Sequence, residues 1–147
     1  MKKFILAGLS FLIVFQSFAN NDSSVAEKLQ QAFRESFPNA ERVQWSKEPD
    51  FYVVNFVENG VLTRITYNEE GKFNRSIRNY SAQSLPYYLV NVVKAKYANQ
   101  NIYGITEIAS STTIEYFVKL EGAKFWTTVN LSSDGNSYIV ERYRKAN

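Results

Sequence analysis

The strongest constraint on this chain is that one pattern of residues occurs twice. Val25, Leu29, Ala32, Phe33 and Phe37 follow one another at helical spacing and lay a single apolar stripe along a helix. Ser24 and Glu27 form a capping box at its start. Pro38 ends the run, since it has no amide proton and restricts the residue before it. Sixty residues on, Ser84, Leu85, Leu89, Val92, Val93 and Tyr97 stand opposite Ser24, Val25, Leu29, Ala32, Phe33 and Phe37. Pro86 falls in the first turn of this second stripe, where a missing amide costs least.

Each stripe leads into segments of alternating character. After the first come a stretch around Val43-Gln44-Trp45, then 51–57, 61–67 and 73–80. After the second come 102–109, 113–120, 125–131 and 137–143. Asn59-Gly60, Glu70-Gly71, Glu121-Gly122 and Asp134-Gly135 separate consecutive runs, as hairpin turns require. The chain therefore reads as a helix followed by four strands, twice, in units of about 24–80 and 84–143. About sixty residues with one helix bury too little surface to stand alone. The expected class is α+β: one antiparallel sheet of about eight strands, with both helices on one face.

The first nineteen residues stand apart from this scheme. Lys2 and Lys3 precede an apolar run from Phe4 to Phe15, and Ser17-Phe18-Ala19 supplies small residues at a cleavage position. This is the pattern of a secretory signal peptide, and the run is too short for the ~20 residues of a membrane-spanning helix. Residues 20–147 are then the mature domain, periplasmic or secreted, with no membrane span once the signal is removed. The full chain has 17 basic and 14 acidic residues, and the signal segment holds two of the lysines. Net charge falls from +3 to +1, too little for the clustered cations that bind nucleic acid. Cysteine is absent, so an exported fold of this size rests on its apolar core; the full chain holds eleven Phe, ten Tyr and two Trp, of which Phe4, Phe11, Phe15 and Phe18 lie in the signal segment.

Histidine is absent as well. That removes Ser–His and Cys–His catalysis and the usual soft metal ligands. Carboxylate-pair chemistry needs no histidine, but Asp50 and Asp134 sit where turns are expected. No catalytic residue, metal ligand or cofactor is assigned, and the chain reads as a non-enzyme.

Strand alternation places Tyr52, Val54, Phe56, Ile65 and Tyr67 towards the helices, with Ile114, Tyr116, Val118, Thr127 and Val129 in the second unit. Trp45 shares the register of Val43 and reads as core. The opposite register carries Phe51, Val53, Leu62, Arg64, Phe117 and Trp126. Of these, Phe51, Val53, Arg64, Phe117 and Trp126 are the candidate partner-binding residues, because aromatics beside an Arg dominate protein interfaces. The alternative is that these side chains are scattered, or covered by a loop or a second copy. Segments 73–80 and 137–143 single out no inward register.

The motif F-P-N-A-x-x-V-x-W over 37–45, followed by Asp50-Phe51-Tyr52-Val53-Val54, Gly60, Tyr67, Gly71 and Leu85-Pro86, resembles the β-lactamase-inhibitor-like, PepSY-like family of exported bacterial proteins. The resemblance covers roughly 24–147. The second unit departs from it, with "YANQ" in place of the Phe-Pro-Asn-Ala corner. It implies a tandem α-then-four-strand fold and a binding role for one sheet face, towards a protein or peptide of the cell envelope, such as a peptidase to be restrained. The competing expectation is a sensor or carrier for a small apolar ligand held in a cleft between sheet and helices.

Overall fold

The computed structural model describes residues 22–146; the signal segment and its cleavage position lie outside them. Helix α1 spans Asp22–Ser36 and is followed by β1 (Glu41–Glu48), β2 (Phe51–Glu58), β3 (Val61–Asn68) and β4 (Phe73–Tyr80). A 3₁₀ turn at Ala82–Ser84 leads to α2 (Tyr87–Lys96), β5 (Asn101–Ser110), β6 (Ile114–Glu121), β7 (Phe125–Ser132) and β8 (Ser137–Arg144). All eight strands pair in sequence order as one antiparallel sheet, so every strand lies beside the one that precedes it.

The two units repeat in their hydrogen bonds as well as their order. At the first helix-to-strand corner the Phe37 amide donates to the Phe33 carbonyl at 2.8 Å, and Ala40 donates to Phe37 at 3.1 Å. At the second, Tyr97 donates to Val93 at 2.8 Å and Gln100 to Tyr97 at 3.0 Å. The corner therefore survives the loss of its proline: the backbone bonds that close it involve no side chain. Gly71 donates to the Asn68 carbonyl at 2.9 Å in the last hairpin of unit one, and Gly135 to Ser132 at 3.0 Å in that of unit two. Both glycines have positive φ, which a side chain would strain. The correspondence of Gly60 with Gly122 does not extend to conformation. Asn59 and Gly60 take φ of 51° and 77°, as a two-residue hairpin turn needs, whereas Gly122 stays out of that region.

The helices depart from the sequence reading at their starts. α1 is already helical at Asp22, so Ser24 lies within the helix and is not its cap. α2 begins at Tyr87, and Pro86 precedes it with φ −50° and ψ 132°. The proline ring pushes Leu85 into extended backbone, φ −74° and ψ 137°, which breaks the chain into a 3₁₀ turn and a helix of ten residues against fifteen in α1.

Residues directly opposite in antiparallel strands share a face. One row therefore runs Phe56–Thr63–Arg78–Glu107–Tyr116–Leu131 across β2 to β7. Phe56 packs with Phe33 of α1, and Leu131 with Leu89 and Val93 of α2, so both helices lie on the same side. Beneath α1 the core is aromatic: Phe33, Phe56 and Ile65, flanked by Phe37, Trp45 and Tyr67. Phe33 meets Trp45 and Phe56 edge-on at 5.4 and 5.0 Å, the geometry that ring quadrupoles favour. Trp45 thus lies on the core side, partly buried against Phe33. Beneath α2 the core is largely aliphatic: Leu85, Leu89, Val93, Val118, Leu120, Val129 and Leu131. The inward register matches expectation except at Ile114, which is 42% exposed at the first position of β6, opposite Ala109.

Candidate functional site: the helix-free face and the cleft at the seam

Among the described residues the opposite side of the sheet carries no helix, and its two halves differ. In unit one, Arg64 donates to the Glu48 carboxylate at 2.8 Å, while Phe51 lies half-buried two residues from Val53. Val53 stands in the outward register but is 0% exposed. Ser46 and Thr66 stand directly opposite it on either side, and the longer chains of the same register, Phe51, Glu48 and Arg64, stand at the neighbouring positions. Val53 therefore cannot itself touch a partner, which corrects its place among the candidate contacts.

In unit two the outward residues form a denser group. Trp126 meets Tyr103 edge-on at 4.9 Å. The Lys119 ammonium lies 5.1 Å from the centre of the Trp126 ring and 5.7 Å from that of Tyr143. Lys145 approaches Trp126 to 4.8 Å and pairs with Glu121 at 2.6 Å. The Tyr143 hydroxyl beside it holds the Lys119 ammonium above its usual range. Phe117 is half-buried on the same face, between Thr106 and Asn130.

The fold therefore does not gather the proposed contacts into one place. Phe51 and Arg64 belong to β2 and β3, Phe117 and Trp126 to β6 and β7, with three strand spacings, roughly 14 Å, between β3 and β6. It adds Tyr103, Lys119, Tyr143 and Lys145, which the sequence reading missed. Lys119 was within reach, since it shares the register of Phe117. Tyr103 was not: the pairing of β5 with β6 shifts between Ile102 and Gly104, and this irregularity leaves Tyr103 65% exposed, beside Trp126.

On the helix side, a cleft of about 640 Å³ opens where the two units meet. Thr63, Ile65, Ser76 and Arg78 lie along its floor strands, Ser36 and Phe37 line it from the end of α1, and Ser84 from the 3₁₀ turn. At its edge the Arg78 guanidinium reaches Glu107 at 3.3 Å, and the Tyr80 hydroxyl donates to the other oxygen of Glu107 at 2.6 Å. Burial, then this bond and the Glu107 charge, push the Tyr80 phenol well above its ordinary pKa. Glu107 is only 12% exposed at its side chain, so Arg78 and Tyr80 satisfy what would otherwise be an isolated inward carboxylate. Asp134, by contrast, is a turn residue: it accepts from the Ser132 hydroxyl and from the Asn136 amide at 3.1 Å, and these bonds hold its carboxyl below the usual range. Among the described residues no group of three or more acidic side chains is placed to hold a metal ion, and no helix is long and apolar enough to cross a membrane.

Comparison with known folds agrees with this architecture. A BLIP-like protein from Bacteroides fragilis superposes with a TM-score of 0.61 at 16% identity, over 88% of this chain and 91% of its own. The fold is BLIP-like. A DUF2874 family protein from Bacteroides uniformis gives 0.58 at 18% identity, over 79% and 86%. A protein of Bacteroides eggerthii described as "putative periplasmic" gives 0.59 at 15%, over 80% and 87%. No family model and no curated protein sequence matches the chain.

Proposed function

We propose that the chain is a non-enzymatic binding module of the cell envelope that holds a protein or peptide partner on the helix-free face of its sheet. The observation that carries this reading is the group of Trp126, Tyr103, Lys119 and Tyr143, rings and an ammonium on the face that no helix covers. Aromatic anchors beside a cation are the residue types that concentrate binding energy at protein interfaces. Phe117 extends the patch along β6, and Phe51 and Arg64 supply a second, smaller contact area in unit one. The signal-like N-terminus and a fold neighbour described as periplasmic support an exported setting. The PepSY-like part of the resemblance suggests that the partner is a peptidase or another envelope enzyme under restraint.

The test is a pulldown from periplasmic extract with Phe117→Ser and Trp126→Ser, after circular dichroism has shown each variant folded. Loss of a specific co-purifying protein supports the reading, and unchanged recovery contradicts it. A second reading, a carrier of small ligands, is favoured by one observation, the 640 Å³ cleft at the seam, whose size lies within the range of ligand sites.

A further inference from the structure

We propose that the seam cleft binds an amphipathic monocarboxylate, a molecule with one anionic head and a flexible apolar chain, with the head held by Arg78. This deepens the carrier reading and is independent of the helix-free face. The floor of the cleft is built from successive cross-strand rows, roughly 6.6 Å apart along the strands. Thr63 and Arg78 form one row, Ile65 and Ser76 the next, and Tyr67 pairs with Phe73 near the far end. The positive charge thus stands at one row, the Ser76 hydroxyl lies in the next, and the apolar and aromatic groups Ile65, Tyr67 and Phe73 extend away from it.

The head position follows from the state of Arg78. Its contact with Glu107 uses one terminal nitrogen at 3.3 Å, longer than the 2.7–2.9 Å of a strong charge-assisted bond. Glu107 has a second donor in Tyr80 at 2.6 Å and does not depend on Arg78 alone. A guanidinium carries five N–H donors, and the rest of those on Arg78 have no protein hydrogen-bond partner among the described residues. The Arg78 side chain is 43% exposed and lines the cleft, so its free edge can receive a second carboxylate in fork geometry. The Thr63 and Ser76 hydroxyls flank that position. Glu58 lines the cleft beside Val61, on the other side of the Arg78 row from Phe73. An anionic head with its chain directed towards Ile65, Tyr67 and Phe73 therefore avoids Glu58 and meets apolar surface.

Isothermal titration of the purified protein with decanoate, decanol and decyltrimethylammonium at pH 7 tests this. Decanoate should bind saturably and about tenfold more tightly than decanol, the discrimination expected of a hydrogen-bonded charged head. The cation should bind more weakly than both. Replacing Arg78→Gln together with Glu107→Gln leaves no buried unpaired charge and should bring acid and alcohol to within about threefold of each other. Ser76→Leu, which fills the floor, should weaken decanoate at least tenfold in a folded protein. Equal affinity for acid and alcohol in the wild type overturns the carboxylate assignment while leaving the carrier reading standing. Absence of saturable binding by all three overturns both.

Discussion

The two units of this protein follow the same path and fill it with different chemistry. Their corners and last hairpins close with the same backbone hydrogen bonds at equivalent positions, to within 0.1 Å. Yet α1 rests on interlocking rings, whereas α2 rests on Leu and Val side chains. The helix-free face differs too, with an Arg64–Glu48 ion pair over unit one and a ring-and-lysine cluster over unit two. Backbone geometry is thus fixed by turns and alternation, which tolerate exchange of nearly every side chain. The surfaces left over were free to diverge, and the two halves need not share a role.

The largest expected effects probe the two cores. Phe33→Ala under α1 should cost about 3–5 kcal/mol and Leu89→Ala under α2 about 2–5 kcal/mol, since each leaves a cavity in packed surroundings. Denaturant unfolding should show one transition for both variants, because the sheet runs through both units without a gap. Two separated transitions would mean that the halves are independent domains.

Next in size is the seam. Tyr80→Phe removes one donor from Glu107 and should cost about 1–2 kcal/mol at neutral pH. The folded-state pKa of Tyr80 is raised, so its contribution is complete below the ordinary phenol value of about 10 and is lost as pH rises beyond it. Stability of the wild type should therefore fall more steeply above about pH 10 than that of the Tyr80→Phe variant. Equal slopes would show that Glu107 and Tyr80 are not coupled in solution.

The equivalent glycines give a matched pair. An added methyl group would meet Val25 of α1 at 3.3 Å from Gly71, and Val92 of α2 at 3.4 Å from Gly135. Gly71→Ala and Gly135→Ala should each cost about 1–2 kcal/mol through positive-φ strain, and by similar amounts. A marked inequality would break the equivalence of the two hairpins.

The smallest effect separates those hairpins by charge. In unit one the Asn68 side chain accepts the Lys72 amide at 2.8 Å; in unit two Asp134 accepts the Asn136 amide at 3.1 Å. Asp134 titrates below its ordinary value, so its contribution is present above about pH 4 and is lost as pH falls through the folded value. Amide exchange at Asn136 should accelerate in acid relative to the base-line trend, while Lys72 follows that trend. Parallel behaviour at both sites would remove the distinction.

Much of this architecture was legible in the sequence, for physical reasons that also set the limits. All eight strand segments were visible because apolar alternation and glycine turns are local signals. The length of α2 was misjudged because the restriction that Pro86 places on Leu85 outweighs the apolar stripe that continues through it. β4 and β8 gave no inward register because their polar residues occupy both faces: Arg78 points to the helices and Arg75 away from them. β8 also changes register around Val140, where its pairing with β7 shifts. Arg78 and Glu107 are 29 residues apart and meet only through the β4–β5 pairing, so no local pattern announces the seam. Val53 was misplaced because alternation assigns a face and says nothing of how deeply neighbours cover it.

We propose that binding belongs to the helix-free face of unit two. The most direct measurement places a photo-crosslinking residue at Phe117, at Phe51 and at Tyr88 of α2, one variant at a time, and irradiates cells that export the protein. A discrete adduct from position 117, weaker from 51 and absent from 88, is the expected result. An adduct formed from Tyr88 but not from Phe117 would place the partner over the helices and contradict the account.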